Sequence, residues 1–326
     1  MDRPPPRLLV TVPKAPELTA ALDRGLPGIP WGYLDDVPES ERRSVEALLV
    51  GSFARDVGTF DATSLPALRF VQRVYTGIDG FPFDRVAPSV RIAGNVGAFA
   101  PFVSEHAVAL ALGAARQLPL ALDMVRRGAL RPPPEQRVLH GSTCVVLGYG
   151  EIGAAIGARV AAFGATVVGL NRTGAAAPGV VRMYRAEELR AALREGDFVF
   201  EVRPLTARTR GSISTAEFAA MRPAAVFVNV GRAATVDPEA LYRHLVDHPE
   251  FRAAIDVWWE ENYREGRLTS SHPFATLPNF LGTPHSAGFA PGAEARAVRM
   301  AVENLAKYFR DGQPEHIVDR SEYATP

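Results

Sequence analysis

The stretch Val145-Val146-Leu147-Gly148-Tyr149-Gly150-Glu151-Ile152-Gly153 spaces three glycines as G-x-G-x-x-G, directly after an apolar run. In a strand–turn–helix setting, Gly148 permits the tight turn and Gly150 lets backbone approach a pyrophosphate. Gly153 then allows close packing of helix on strand. The phosphates would sit at the helix N-terminus, where amides and the helix dipole favour negative charge. Eighteen residues past Gly153 the chain reads Asn171-Arg172-Thr173. A carboxylate there would accept from ribose hydroxyls; asparagine does not repel a 2′-phosphate, and Arg172 offers it a planar fork of donors. Three polar signatures follow apolar runs further on: Asn229-Val230-Gly231-Arg232, Asp256-Val257-Trp258-Trp259-Glu260-Glu261, and Thr283-Pro284-His285. Hydride transfer to a carbonyl leaves an oxyanion that needs a proton, and histidine can deliver one near neutral pH. A neighbouring glutamate would orient the imidazole, and an arginine can fork onto a 2-oxo acid.

These residues need a frame that gathers them. From Thr143 onward the sequence alternates strand-like and helix-like runs: Thr143–Leu147, Ile152–Phe163, Thr166–Leu170, Ala186–Leu193, Asp197–Phe200, Thr215–Met221, Ala225–Val230, Pro238–Leu245 and Ala253–Val257. Continuous apolar strands alternating with helices imply a parallel sheet covered on both faces. In such sheets ligands sit at the carboxyl ends of the strands. Before this, short β-rich runs at Leu8–Val12, Ala47–Val50, Phe70–Val74 and Val90–Ile92 alternate with polar, proline-bearing segments. Ser104–Arg116 reads as a buried helix, Arg131–Glu135 as a proline-rich loop, and Glu294–Arg310 as a last helix. The fold expected is α/β, with two Rossmann-like domains. Residues 104–288 would bind the dinucleotide, and residues 1–103 with 289–326 would form the substrate domain.

Composition excludes several classes. At 326 residues, 47% hydrophobic and 22% charged, the chain can bury a large core without staples. Lys plus Arg and Asp plus Glu balance at 36 each, which argues against nucleic acid or an anionic membrane as partner. The single cysteine, Cys144, excludes an internal disulfide and lies in an apolar run, as a buried inert thiol would. No run approaches the ~18 apolar residues of a membrane span, and Met1–Pro6 has no signal-peptide core, so a cytoplasmic location is expected. No metal site is expected. His244 and His248 stand at i and i+4 but lack a third ligand, and read as a solvated helix end.

Taken together, the motifs resemble the D-isomer-specific 2-hydroxyacid dehydrogenase family, glyoxylate and hydroxypyruvate reductases in particular. The resemblance runs by motif from about Val74 to His285. It implies that Arg232, Glu261 and His285 are catalytic, and that Asp256 accepts from the nicotinamide carboxamide. It implies a substrate-carboxylate loop at Thr76, Gly77 and Ile78. On the cofactor side it implies Gly148, Tyr149, Gly150, Glu151, Ile152, Gly153, Asn171, Arg172, Thr173, Pro204, Thr209, Val230, Gly231, Asp256 and Gly288. A homodimer, a flavodoxin-like substrate domain and hinge closure over a small 2-oxo or 2-hydroxy acid are further implications. NADP(H) is the cofactor favoured, with NAD as the alternative.

Some residues depart from the family pattern. Ala233 follows the arginine where glycine is common, and Asn95-Val96-Gly97-Ala98 replaces an Asn-x-Pro-Gly-like segment. Glu201 and Arg203 stand where neutral residues are usual, so they either pair with each other or leave Arg203 facing an anionic ligand. Trp258 and Trp259 either wall the pocket or pack beneath it. The five-residue spacing from Asp256 selects Glu261 over Glu260, and His106 reads as structural. Formate oxidation is disfavoured because that branch carries glutamine at the place of Glu261. A phosphite- or other oxyanion-oxidising relative, or a nucleotide-sensing interaction protein, are the competing readings.

Overall fold

The computed structural model describes residues 4–51, 65–133, 135–262 and 265–323. Met1–Arg3 of the N-terminal segment and Pro134 of the proline-rich loop lie outside the described residues. The chain divides into two compact units, one up to Phe99 and again from Pro291, the other from Ala100 to Ala290. The first division falls before the expected 103/104 because a helix already starts at Ala100, and the second falls just after the expected 288/289.

The first unit holds five parallel strands: β1 (Leu8–Val10), β2 (Trp31–Tyr33), β3 (Ala47–Val50), β4 (Phe70–Arg73) and β5 (Arg91–Ala93). Their order, β2-β1-β3-β4-β5, is the doubly wound flavodoxin-like one. Side-chain alternation explains why both faces are apolar. Leu8, Val10, Ala47 and Leu49 face one core with the C-terminal helix Ala293–Asp311, while Leu9, Leu48 and Val50 face another. Helix α1 (Pro16–Gly25) and strand β2 were not expected from sequence. A proline in the first turn is tolerated because that amide has no helical partner anyway.

In the second unit, α2 (Ala100–Ala115) and α3 (Leu118–Arg126) precede β6 (Thr143–Leu147), α4 (Glu151–Ala162), β7 (Thr166–Asn171) and β8 (Arg182–Arg185). Then follow α5 (Leu189–Leu193), β9 (Phe198–Glu201), α6 (Thr215–Phe218), β10 (Val226–Asn229), α7 (Pro238–Asp247) and β11 (Arg252–Ile255). A hairpin, β12 (Glu260–Asn262) with β13 (Arg267–Thr269), precedes the edge strand β14 (Phe280–Gly282). Seven strands form one parallel sheet in the order β14-β11-β10-β9-β6-β7-β8. The winding reverses between β6 and β9, the switch point where open α/β sheets bind ligands.

Register lines up the strand ends. Leu147 pairs with Glu201, Glu201 with Asn229, Asn229 with Ile255, and Ile255 with Gly282. Gly148, Val202, Val230, Asp256 and Thr283 therefore begin the loops along one edge. Their amides confirm the row: those of Val202, Val230, Asp256 and Thr283 each donate to the strand beside them. Among the described residues no single helix is long and apolar enough to cross a membrane.

Candidate functional site

The glycine loop sits at the switch point. Gly148 has φ +99°, and a Cβ there would lie 2.9 Å from the Arg203 amide nitrogen. A Cβ on Gly153 would lie 2.4 Å from the Gly148 carbonyl oxygen. Both positions are closed by the protein's own backbone. Gly150 differs: it has an ordinary negative φ, and a Cβ there would meet nothing within 4 Å. The fold does not demand a glycine at this place, whereas close approach of a ligand would. The first α4 bond runs from the Ala154 amide to the Gly150 carbonyl, so the amides of Glu151, Ile152 and Gly153 precede the ladder. These residues fit a dinucleotide pyrophosphate. Tyr149 is in the loop, but its ring folds back against Gly157 and Gly169 and its amide donates to the Leu170 carbonyl at 2.9 Å.

At the end of β7 the Asn171 side chain organises the next turn. Its Oδ1 accepts the amides of Thr173 at 3.1 Å and Gly174 at 2.7 Å, and its Nδ2 donates to the Ala175 carbonyl. Arg172 and Thr173 are presented outward on this turn, both exposed. Arg185, paired in register with Asn171 on β8, lies over Gly174 and adds a second guanidinium to the corner. Sequence reasoning missed it because the edge strand β8 was itself missed.

Glu201 and Arg203 pair with each other. Both are buried, the guanidinium lies 2.8 Å from the carboxylate, and it also donates to Ser212 Oγ at 3.0 Å. Burial pushes the Glu201 carboxyl upward, against the pull of Arg203. The next loop is braced internally, with Thr209 Oγ1 donating to the Pro204 carbonyl at 2.6 Å. Val230 and Gly231 both donate their amides to the Glu201 carbonyl, and Gly231 packs on Val202 and Arg203. Arg232 follows, half-buried, its own carbonyl capped by Thr235 Oγ1 and Asn229 Nδ2.

At the β11 and β14 ends, the His285 imidazole meets Glu261: Nδ1 lies 2.8 Å from Oε2. The other carboxylate oxygen accepts the Trp258 amide at 2.8 Å, which fixes the carboxylate plane. Neighbouring Glu260 instead points outward and accepts from Thr269 Oγ1 across the hairpin. Asp256 is 1% exposed and accepts from Thr283 Oγ1 at 2.6 Å and from the amides of Ser286 and Ala287 at 2.8 and 2.9 Å. Burial alone would raise its pKa; hydrogen bonds from His106, Thr283 and the two amides hold it well below the usual carboxylate range. Gly288 lies just beyond this loop. The tryptophans are partly buried and pack on aromatic neighbours: Trp259 stacks on Phe274, and Trp258 meets Phe280 edge-on while donating to the Thr283 carbonyl.

Thr76, Gly77 and Ile78 stand in the other unit. Thr76 Oγ1 donates to the Asn95 carbonyl, the Arg73 guanidinium donates to the Gly77 carbonyl, and the Ile78 side chain is buried. His244 is not solvated as its helix position suggested. Its ring stacks on Phe218 and meets Phe251 edge-on, and burial lowers its pKa to about 4. Among the described residues no cluster of three metal-ligating side chains exists. Cys144 is buried, and burial pushes its thiol up to about 12.

Residues 108–287 match the family described as D-isomer specific 2-hydroxyacid dehydrogenase, NAD binding domain. A D-3-phosphoglycerate dehydrogenase of Methanocaldococcus jannaschii is 30% identical over 258 residues, covering 77% of this chain and 48% of that protein. The chain thus spans about half the length of that relative. A Pyrobaculum aerophilum structure with a provisional formate dehydrogenase name superposes with TM-score 0.83 at 32% identity, covering 98% of this chain and 100% of the other. An NADPH-dependent glyoxylate/hydroxypyruvate reductase of Sinorhizobium meliloti, solved with NADP and sulfate, gives TM-score 0.79 at 26% identity over 97% and 98% of the two chains.

Proposed function

Because the chain belongs to the D-isomer-specific 2-hydroxyacid dehydrogenase family, an NAD(P)-binding family of oxidoreductases, we propose that it reduces a small 2-oxo acid of glyoxylate or hydroxypyruvate type to the D-2-hydroxy acid with NADPH. The observation that carries this reading is the Glu261–His285 pair at 2.8 Å on the sheet edge that also bears Arg232 and the glycine loop. The cofactor, held by the loop from Gly148 to Gly153 and by Asn171–Thr173, supplies a hydride when bound. The carbonyl carbon receives the hydride, and the carbonyl oxygen takes a proton. His285 Nδ1 is bonded to Glu261, so Nε2 delivers that proton, and the carboxylate stabilises the imidazolium beforehand. Arg232 forks onto the substrate and polarises its carbonyl.

NADP(H) rather than NAD(H) is supported by the outward Arg172, by Arg185 beside it and by the lack of an acid at Asn171. The S. meliloti relative was solved with NADP. A homodimer is supported by α3, whose Leu118, Leu122 and Val125 are 56%, 51% and 72% exposed along one helix face. The name of the P. aerophilum relative favours formate as a second substrate class. Against it, Glu261 is a carboxylate paired with histidine, the arrangement of a proton donor that formate oxidation does not require. Turnover of NADPH with a panel of 2-oxo acids, beside formate with NADP, decides between them. Reduction of glyoxylate or hydroxypyruvate supports the reading; activity with formate alone overturns it.

A further inference from the structure

The loop that carries His285 is held from inside the second unit by a group that the reaction itself does not use. His285 has φ +52°, a backbone conformation that is strained for a non-glycine residue and persists only when its surroundings impose it. The restraint comes from both sides of the residue. On one side Thr283 donates its hydroxyl to Asp256 Oδ1 at 2.6 Å. On the other, Ser286 and Ala287 donate their amides to the two oxygens of the same carboxylate. Asp256 is therefore the post to which the loop is tied.

The post has its own brace. His106, on α2, places Nε2 3.0 Å from Thr283 Oγ1 and 3.4 Å from Asp256 Oδ1. An ionised carboxylate can only accept, so the Thr283 hydroxyl proton is committed to Asp256. Thr283 Oγ1 can then only accept from His106, which puts a proton on Nε2 in whichever charge state the ring adopts. Helix α2 packs on β10, β11 and β14, the strands whose ends bear Arg232, Asp256 and Thr283. His106 thus joins a rigid core helix to the loop through one donor atom.

We propose that His106 is a positioning residue for His285, acting through Thr283 and Asp256. The proposal rests on the reading of His285 as the proton donor. With the donor lost, the Asp256–Thr283 bond is no longer held in one orientation and the strained loop relaxes. Misplacement of a reacting group by about 1 Å can cost ~10²-fold, so a loss of tenfold or more in kcat is expected. Binding of the 2-oxo acid, governed by other residues, should change little.

The experiment compares His106→Phe, His106→Gln and His106→Asn, with Thr283→Val and His285→Ala, on the best 2-oxo acid. Glutamine carries an amide donor to the place of Nε2; asparagine does not reach it. The expected result is a kcat lowered at least ~10-fold in the Phe, Asn and Thr283→Val proteins, with KM within ~2-fold and glutamine restoring kcat to within ~3-fold. The His106→Phe, Thr283→Val double variant should be no worse than the poorer single one, since both remove the same link. If the Phe protein does not fold, the contrast between Gln and Asn decides. Full kcat in Asn while His285→Ala is crippled overturns the role of His106 alone. Equal loss in Gln and Asn also overturns it, because the donor atom is then not what matters. Undiminished turnover in His285→Ala overturns the acid assignment itself, and this proposal with it.

Discussion

Glu261 holds the His285 ring by Nδ1 at 2.8 Å while its second oxygen is tied to the Trp258 amide at 2.8 Å. The carboxylate is thus anchored to the strand end before it orients the histidine. Replacing His285 with alanine should lower kcat for 2-oxo acid reduction ~10²–10⁴-fold, the usual contribution of a general acid, with cofactor binding retained. Glu261→Gln should cost less, because it keeps a hydrogen-bonding partner but removes the charge. Steady-state kinetics with a fluorescence titration of NADPH separates the effects. An alanine variant that retains half its activity removes His285 from the proton path.

The glycines make a sharper prediction because two of them answer to different masters. A methyl on Gly153 would collide with the Gly148 carbonyl at 2.4 Å, so Gly153→Ala should destabilise the unit by about 1–3 kcal/mol. A methyl on Gly150 meets nothing within 4 Å, so Gly150→Ala should unfold within about 0.5 kcal/mol of the unmodified protein. Its cofactor affinity should nevertheless drop at least ~10-fold, or about 1.4 kcal/mol. Thermal melts with and without NADPH test both. Normal cofactor affinity in Gly150→Ala would mean that no phosphate approaches this backbone.

His244 should make the protein acid-sensitive. Packed on Phe218 and Phe251, its pKa is depressed to about 4 in the fold, below its ordinary 6.5. Between these values the unfolded chain binds a proton that the folded one refuses. The stabilisation is therefore present above pH ~6.5 and is lost as pH falls toward 4, amounting to at most about 1–3 kcal/mol after allowing for partial exposure. Urea unfolding at pH 7 and pH 4.5 should show a smaller loss for His244→Phe than for the unmodified protein. Equal losses would place the acid sensitivity elsewhere.

The frame of the second unit was legible because its central strands, such as Thr143–Leu147 and Val226–Asn229, are buried on both faces and read as unbroken apolar runs. Arg182–Arg185 escaped notice because an edge strand with both ends exposed has no such run. Leu118–Arg126 escaped because Leu118-Pro119 reads as a break, although proline is tolerated in a first turn, and because its apolar face is not buried in this chain. Within the site, motif spacing singled out Arg232, Glu261 and His285. It could not show that Asp256 ties down residues some thirty positions later, or that His244 is enclosed by Phe218, since neither relation is local in sequence.

Arg232→Lys tests the substrate side. A lysine keeps the charge but replaces a planar fork with a point donor, so a bidentate grip on the acid should be lost. Both KM and kcat should suffer, because the same group binds the ground state and polarises the carbonyl. A loss in catalytic efficiency of at least ~10-fold, about 1.4 kcal/mol, is expected. Wild-type kinetics would reduce Arg232 to a loop residue whose carbonyl accepts from Asn229 and Thr235.

Cofactor choice turns on the corner after β7. Asn171 spends its Oδ1 on the amides of Thr173 and Gly174, so it shapes the turn that carries Arg172 outward. Aspartate could still accept those two amides, but it would lose the bond to the Ala175 carbonyl and bring a negative charge to the site of a 2′-phosphate. A charge-assisted bond from Arg172 contributes roughly 1.5–3 kcal/mol, or ~10–150-fold in affinity. Arg172 is exposed, so solvent screening favours the lower end. NADPH should therefore exceed NADH in kcat/KM by at least ~10-fold, and Asn171→Asp with Arg172→Ala should reverse the order. Arg185 should retain part of the preference when Arg172 alone is removed, because it lies over the same turn. Both cofactors must be compared at one ionic strength, since salt screens the phosphate contact. An NADH preference in the unmodified protein would show that the asparagine at this corner serves only the turn, and that the two arginines do not meet the adenosine ribose.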